Sequence, residues 1–218
     1  MIKIKINELK AGTFYISPFE ITFEHKIIGL IGKNGSGKTT LLKSLGGIIK
    51  YNGKITYNDK DLKEERIEYI PPMIEVNYPI KVIHFLQAAL DRLKLKAEDR
   101  LIIEKTCKKL KILGLLDKDM SKLSSGEIVK VLISKSIITN KKIILWDEPT
   151  SFLDIEYKIF LIRLIKKYLY NKTFIIASHD FNWLNKIIEG FIGLKDNKII
   201  FHSRKIENSD IKYLFFNS

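Results

Sequence analysis

The chain has 218 residues, of which 45% are apolar, so it is long enough to bury one substantial core. Its longest apolar runs, such as IIGLIG, fall far short of the roughly 20 residues that a membrane-spanning helix needs. Lys and Arg exceed Asp and Glu by 38 to 25, but these basic residues are scattered and not interleaved with aromatic residues, which favours a solvated surface over a nucleic-acid interface.

Strand-like and helix-like segments alternate along the chain. The N-terminal run MIKIKINELK alternates like a strand and does not resemble a secretory leader, so we expect the protein to stay in the cytoplasm. The runs with strand character are IKIKI, KIIGLI, KITY, RIEYI, KIILW, TFIIAS, GFIGL and KIIFH. Helices are predicted near residues 38–46, 80–93, 100–113, 126–138, 154–169 and 181–189. This alternation predicts an α/β protein with a largely parallel sheet.

The alternation is interrupted between about residues 78 and 140, where helix-like segments follow one another without a convincing strand. A helical subdomain inserted into an α/β core explains the interruption. We therefore predict a single domain over residues 1–218, with the core formed by residues 1–77 and 141–218 and the helical subdomain by residues 78–140. The sequence contains no repeat and no long linker, so the two parts should be tightly joined.

A glycine-rich segment, GKNGSGKT at residues 32–39, fits the pattern G-x-x-x-x-G-K-[ST] between a predicted strand and a predicted helix. Its glycines let backbone N–H groups and the helix N-terminus point at a phosphate. Lys38 adds positive charge at the β- and γ-phosphates, and the Thr39 hydroxyl suits Mg²⁺. A flexible turn that binds nothing is the plainer alternative, but the flanking strand and helix favour binding of ATP or GTP. The predicted nucleotide-binding residues here are Gly32, Lys33, Asn34, Gly35, Ser36, Gly37, Lys38, Thr39 and Thr40.

The run KIILWDE at residues 142–148 is an apolar strand that ends in two acidic residues. In open α/β sheets ligands bind at the carboxyl ends of the strands. Asp147 is placed to hold Mg²⁺ together with Thr39. Glu148, one residue further along, could orient and deprotonate an attacking water. Two acids at a strand end are otherwise ordinary turn residues, and the phosphate-binding segment favours the functional interpretation.

A third motif, LSSGE at residues 123–127, precedes the apolar run IVKVLI. Ser124 followed three residues later by Glu127 fits a capping box, in which the two residues satisfy exposed amides at a helix N-terminus. Taken alone, this motif predicts only the start of a helix.

Together these motifs resemble those of the ATP-binding cassette (ABC) ATPases, in the same order and over nearly the whole chain. LSSGE resembles the family signature LSGGQ, and KIILWDEPT resembles the Walker B strand with its following glutamate. SFLD at residues 151–154 resembles the D-loop, and ASHD at residues 177–180 resembles the switch-histidine segment. The resemblance implies a P-loop NTPase core with a mostly parallel sheet, an N-terminal antiparallel β portion and an inserted helical subdomain. It also implies ATP and Mg²⁺ as ligands, and ATP hydrolysis coupled to transport.

The resemblance further implies an active site shared between two chains. In this family two nucleotide domains face head to tail, and ATP lies between the P-loop of one and the signature of the other. Ser124, Ser125 and Gly126 would then bind the nucleotide held by the partner, and Asp154 would communicate across the dimer. Because this chain has one P-loop and one signature, it needs a second ABC subunit, most simply another copy of itself.

The same resemblance gives His179 a catalytic role. It would contact the γ-phosphate and help Glu148 to position the attacking water. Considered alone, a histidine in ASHDFNW is more plainly a residue at a helix start.

Several positions depart from the family pattern, among them Ser125 and Glu127 within LSSGE, and Pro72 is the departure that bears most on the metal. Pro72 stands where the family has the glutamine of the Q-loop, and proline has no side-chain oxygen for a metal. Either Glu75 or Asn77 takes over, or Mg²⁺ loses that ligand, and the sequence leaves this open. The aromatic residue that stacks on adenine is also not clear. Phe14 and Tyr15 are candidates, although an aromatic pair in a strand is typical of a core.

We interpret the chain as the ATPase subunit of a membrane transporter, because it is an almost bare cassette. The resemblance then implies separate integral membrane subunits and a location at the inner face of the cell membrane. Val76, Tyr78 and Phe85 could contact those subunits, or they could be ordinary packing residues. The alternative is a soluble ABC ATPase acting on ribosomes, nucleic acid or an assembly scaffold, to which the net charge of +13 lends only slight support because the basic residues are scattered. A regulatory protein with little hydrolysis is motivated by Pro72 and opposed by the presence of both Glu148 and His179.

Overall fold

The strands of this protein form two sheets in a computed structural model, which describes residues 1–12, 14–24, 26–57, 60–61, 67–76, 79–90, 96–168, 172–202 and 204–216. The strands are β1 Ile2–Ala11, β2 Phe14–Ile16, β3 Phe19–Phe23, β4 Ile27–Gly32, β5 Asn52–Tyr57, β6 Lys60–Asp61, β7 Ile67–Ile70, β8 Ile143–Asp147, β9 Thr173–Ala177, β10 Gly190–Lys195 and β11 Lys198–His202. The helices are α1 Lys38–Leu45, α2 Val82–Ala88, α3 Ala97–Lys109, α4 Ser125–Ile138, α5 Ile155–Tyr168, α6 Phe181–Leu184 and α7 Asn208–Phe215. Within these residues, no helix combines the length and the apolar character that a membrane crossing requires.

The larger sheet has the strand order β11-β10-β4-β9-β8-β7. Its strands from β10 to β7 are parallel, and β11 runs antiparallel to β10 at one edge. In the smaller sheet, β1 pairs antiparallel with β2, β3 and β5, and β5 pairs antiparallel with β6. These pairings confirm the predicted α/β fold with a mostly parallel sheet and an N-terminal antiparallel portion.

Each face of the parallel sheet packs against its own apolar core. The strand β8 is buried at all five positions, as the continuous apolar run in its sequence requires. Ile143 and Leu145 point toward α1 and the antiparallel sheet, whereas Ile144 and Trp146 point toward α5 and the helical part of the chain. The carboxyl ends of β4, β8 and β9 therefore lie side by side along one edge, where the candidate site forms.

Between β7 and β8 the described residues contain helices and one isolated bridge, from Lys81 to Asp119, but no strand pair. The apolar side chains of α2, α3 and α4 belong to the same buried cluster as Trp146 and Phe174 of the sheet. The exact division of the chain at residues 77 and 140 stays a prediction.

The C-terminal end of α4 is tied to the parallel sheet. Lys172, immediately before β9, donates hydrogen bonds from Nζ to the backbone oxygens of Ser136, at 3.1 Å, and Thr139. Carbonyl groups at a helix C-terminus have no partner within the helix, so a cation is favourable at this position. Burial lowers the pKa of Lys172 to about 8.

Several helices differ from the sequence prediction: α3, for example, spans Ala97–Lys109 instead of residues 100–113, and α2 ends at Ala88. Helix α6 ends at Leu184 instead of residue 189, and beyond it the N–H groups of Lys186 and Ile187 donate to oxygens only three residues back. The side chain of Asn185 pairs with the backbone N–H and oxygen of Ile206. Helix α7 was not predicted. It begins with a capping box formed by Glu207 and Asp210, and Arg204 holds the Asp210 carboxylate with two hydrogen bonds of 2.6 and 2.8 Å. The short strands β2, β3 and β6 were not predicted either.

Candidate nucleotide-binding site

The glycine-rich segment forms the loop between β4 and α1, as its sequence predicts. Gly35 and Gly37 have φ angles of 78° and 94°, which L-residues with side chains rarely adopt. A Cβ added at Gly37 would lie 1.8 Å from Cζ of Phe14, whereas one added at Gly35 would meet no atom within 4 Å. No side chain caps the N-terminus of α1. The loop therefore leaves backbone amides beside open space, which suits an anion.

Two polar side chains of this loop have unusual surroundings. The hydroxyl oxygen of Ser36 is buried and has no hydrogen-bond partner in the described structure. Lys38 donates from Nζ to the backbone oxygens of Gly32, at 2.8 Å, and Lys33, at 3.1 Å. Burial lowers the pKa of Lys38, while the nearby carboxylates of Glu148 and Asp147 act in the opposite direction. The ammonium group is thus held inside the loop, where a phosphate could replace its carbonyl partners.

Asp147 is the last residue of β8, and only 3% of it is exposed. Its Oδ2 accepts a hydrogen bond of 2.9 Å from the hydroxyl of Tyr69 on the neighbouring strand β7. Burial and the charge of Asp147 raise the pKa of Tyr69, so this group stays a phenol that donates. Sequence reasoning missed Tyr69, because the contact depends on the pairing of two strands that are far apart in the chain.

Glu148 and His179 are in direct contact. Nδ1 of His179 lies 2.8 Å from Oε2 of Glu148, and the His179 backbone N–H donates to the same oxygen at 3.3 Å. Glu148 has a φ of 49°, a left-handed conformation that costs a residue with a side chain about 1 kcal/mol. Its N–H donates to the Ala177 oxygen at 2.9 Å, which extends the pairing of β8 and β9 by one residue. Burial raises the pKa of Glu148, and His179 and Lys38 oppose this shift.

The motif LSSGE begins α4 with the predicted capping box, which is confirmed. Ser124 accepts a hydrogen bond from the Glu127 N–H at 3.3 Å, and its own N–H donates to Oε2 of Glu127 at 2.9 Å. Hydrogen bonds from Ser124 and Lys118 lower the pKa of Glu127. A Cβ added at Gly126 would lie 3.0 Å from the backbone oxygen of Phe152. The signature segment therefore lies against the segment SFLD of the same chain.

Asp154, at the end of SFLD, forms the N-terminal cap of α5. Its Oδ1 accepts from the Tyr157 N–H at 2.6 Å, and its backbone oxygen accepts from the Lys158 N–H at 3.0 Å. The described contacts thus give Asp154 a structural role within this chain.

The structure groups the sequence-predicted residues into two sets. Lys38, Asp147, Glu148 and His179 interact at the edge formed by β4, β8 and β9. Thr39 is exposed in the first turn of α1, and Gly32 and Lys33 accept hydrogen bonds from the Lys38 ammonium. The other predicted loop residues are Asn34, Gly35, Ser36, Gly37 and Thr40, which follow them in the same segment. The second set consists of Ser124, Ser125 and Gly126, which lie at the start of α4.

The positions that depart from the family pattern are only partly described. Pro72 lies in a bend two residues after β7, and Glu75 is exposed. Asn77 and Tyr78 lie outside the described residues. Val76 and Phe85 are half-buried and pack against the larger core.

The two aromatic candidates of β2 lie in different surroundings. The ring of Phe14 packs against Gly37 of the phosphate-binding loop, whereas Tyr15 is exposed. Of the two candidates, only Phe14 is shown in contact with the phosphate-binding loop.

Comparisons with known proteins agree with this geometry. A family model described as "ABC transporter" matches residues 19–151, more than half of the chain. The zinc import ATP-binding protein ZnuC of Ehrlichia chaffeensis is 35% identical over 173 residues, which cover 76% of this chain and 68% of that protein. The manganese transport system ATP-binding protein MntB of Listeria monocytogenes is 30% identical over 189 residues, which cover 81% of this chain and 78% of that protein. The solved structure of an ATP-binding subunit of an ABC transporter matches with a TM-score of 0.81 at 18% identity, over 99% of this chain and 93% of that one, which supports the fold.

Proposed function

This chain belongs to the ABC transporter family, as a subunit that binds and hydrolyses ATP for a transport system, and on that premise we propose that Lys38, Asp147, Glu148 and His179 form its hydrolytic centre. The observation that carries the proposal is the contact of 2.8 Å between His179 and Glu148, near the half-buried ammonium of Lys38. The relatives are named as transport proteins, so the alternative of a soluble ABC ATPase acting on ribosomes or nucleic acid is not favoured.

The phosphate chain of ATP would lie along the loop between β4 and α1. The open space beside Gly35, the uncapped helix N-terminus and the unpartnered Ser36 hydroxyl are features that phosphate oxygens would complement. Lys38 would exchange its two carbonyl partners for oxygens of the β- and γ-phosphates. The remaining loop residues, from Gly32 to Thr40, would surround the phosphates.

A magnesium ion fits the chemistry of the nearby side chains. Thr39 offers a hydroxyl and Asp147 a buried carboxylate, and oxygen ligands of this kind suit a hard cation. When bound, Mg²⁺ would supply positive charge to the phosphate oxygens. The residues that would hold it are Thr39 and Asp147.

Glu148 is the group that would activate water. A raised pKa makes a carboxylate a better proton acceptor, and the contact with His179 fixes its orientation. Nδ1 of His179 faces Glu148, so its Nε2 would face the γ-phosphate, to which it would donate a hydrogen bond in the protonated, imidazolium form. Phosphoryl transfer depends mainly on such positioning and charge stabilisation.

We propose that the active site is completed by a second chain in a head-to-tail dimer. The capping box at α4 uses the amide of Glu127, so the amides of Ser125 and Gly126 remain for an anion held by the partner. Phe152 and Ile155, which flank Asp154, have exposed fractions of 47% and 75%, and an apposed chain would cover them. A homodimer is the simplest form of this arrangement.

The substitution Ser124→Arg tests the shared site. We expect the isolated chain to keep its ATP affinity within about twofold, because Ser124 does not contact its own phosphate-binding loop. Hydrolysis should fall by about 100-fold, the loss that follows removal of one donor to the reacting group. The measurements are nucleotide titration and steady-state phosphate release.

The control for Ser124→Arg is Ile102→Arg, which places the same bulk and charge on an exposed position of α3. This control should hydrolyse ATP at the wild-type rate. Normal turnover in Ser124→Arg would show that the signature segment is not part of the active site.

We further propose that the subunit docks on integral membrane subunits at the inner face of the cell membrane, and that the cargo is a divalent transition metal. The support is the zinc import and manganese transport named for two of its relatives. Reconstituted with its membrane subunits in vesicles, the protein should drive ATP-dependent movement of zinc or manganese, and the Glu148→Gln form should not. Movement of another solute, with neither metal transported, would refute the choice of cargo.

A further inference from the structure

The pairing of β7 with β8 places the side chain of Tyr69 toward Asp147. Tyr69 pairs with Leu145 in the parallel register, so the two side chains lie on the same face of the sheet. Asp147 follows Leu145 by two residues and returns to that face. Two strand residues span about 6.6 Å, a gap that a tyrosine side chain crosses and a serine or threonine side chain does not.

Close packing holds the tyrosine in this position. A Cβ added at Gly46, just after α1, would lie 3.1 Å from Cβ of Tyr69 and 3.6 Å from Cδ1 of Leu145. The C-terminal end of the phosphate-binding helix therefore packs directly on this pair. This contact fixes the Cβ end of the half-buried side chain, and the hydrogen bond to Asp147 fixes its hydroxyl end.

The hydrogen bond from Tyr69 makes the two oxygens of the Asp147 carboxylate inequivalent. Oδ2 accepts from the Tyr69 hydroxyl at 2.9 Å, which leaves Oδ1 for another partner. Groups that hydrogen-bond a metal-binding carboxylate fix its orientation and tune its affinity for the ion. The orientation of Asp147 matters more for metal binding in this chain, because Pro72, three residues after Tyr69, has no side-chain oxygen that could act as a further ligand.

We propose that Tyr69 is a positioning residue of the metal site, which fixes Asp147 through Oδ2 so that Oδ1 is available to the ion bound with ATP. This inference rests on the proposed function, in which Asp147 and Thr39 hold Mg²⁺. Strand β7, which precedes the bend at Pro72, would then be linked to the metal by way of Tyr69 and Asp147, and not by a glutamine.

The substitution Tyr69→Phe tests this role, because it removes the hydroxyl and keeps the ring. Mn²⁺ replaces Mg²⁺ as a probe, and electron paramagnetic resonance measures its binding to the complex of the protein with a non-hydrolysable ATP analogue. We expect Mn²⁺ affinity to fall about tenfold, as for other outer partners of metal ligands. Affinity for the analogue in EDTA should stay within about twofold of wild type.

A double-mutant cycle asks whether Tyr69 acts through Asp147. In an Asp147→Asn background, Tyr69→Phe should cause no further loss of Mn²⁺ affinity. The control Tyr157→Phe removes another buried tyrosine hydrogen bond, of 2.9 Å to the Leu110 oxygen, and should leave Mn²⁺ affinity unchanged. Thermal denaturation of each variant shows that it is folded.

Three results would overturn the inference. These are wild-type Mn²⁺ affinity in Tyr69→Phe, an equal loss of analogue affinity with and without metal, and additive losses in the double-mutant cycle. Failure of the proposed function looks different. In that case the wild-type protein itself would bind Mn²⁺ no more tightly than the free ATP analogue does.

Discussion

Glu148→Gln will stop ATP hydrolysis without preventing ATP binding, and the variant will form a dimer in Mg-ATP. The amide is nearly the same size as the carboxylate, but it cannot accept a proton from water. Turnover should fall by about 100-fold to 10,000-fold, the usual contribution of a general base. Because the nucleotide stays intact, both faces of each shared site remain occupied and the dimer should persist.

Light scattering across a chromatographic peak gives the mass of Glu148→Gln in Mg-ATP and in Mg-ADP. We expect a dimer in ATP and a monomer in ADP. The control Glu98→Gln makes the same change at an exposed position in the first turn of α3 and should hydrolyse ATP normally. A monomer in both nucleotides, with ATP binding verified separately, would contradict the homodimer and leave a different ABC subunit as the partner.

Lys38→Ala will lower the affinity for ATP by about 100-fold. The ammonium group lies within the loop at 2.8 Å from the Gly32 oxygen, and in the nucleotide complex it would bind phosphate oxygens instead. Hydrogen bonds to charged groups contribute about 1.5 to 3 kcal/mol each, and every 1.4 kcal/mol is a factor of ten in affinity. Isothermal titration with ATP and with ADP measures the change.

Lys43→Ala is the control for this substitution, because it removes the same charge from the last turn of the same helix. It should bind ATP with an affinity within about twofold of wild type. If Lys38→Ala and Lys43→Ala bind ATP equally well, the phosphate chain does not lie along the loop between β4 and α1.

Most strands of the parallel sheet could be predicted because each has a recognisable apolar pattern in its own sequence. Strands such as β8 are buried on both faces and read as continuous apolar runs, and their ends coincide with the polar motifs. The N-terminal strand β2 has only three residues, and β3, with the sequence FEITF, alternates apolar with polar residues instead of forming a continuous apolar run. Helix α7 begins with Glu207 and Asp210, a pair that lacks the usual Ser or Thr of a capping box.

The candidate site could be predicted where function requires residues that are adjacent in sequence. The flanking strand or helix identifies the location of Gly37 and Lys38, and likewise that of Asp147 and Glu148. Tyr69 could not be found in this way, because its partner is Asp147 and only the strand register brings the two together. The effect of Pro72 could not be predicted for the same reason, since it depends on which other side chains lie near the metal in the folded chain.

The attachment of α4 to the parallel sheet at its C-terminal end links the orientation of the helix to the position of Ser124 at its other end. Lys172 holds the C-terminal end against the start of β9, the strand whose carboxyl end leads to His179, while Ser124 lies at the opposite end. With 14 residues, the helix is about 21 Å long. A tilt of about 10° about this attachment would displace the Ser124 end by about 3 to 4 Å, more than the length of a hydrogen bond, and would separate Gly126 from Phe152. A phosphate bound at Ser124 would therefore constrain the tilt of α4 relative to β9.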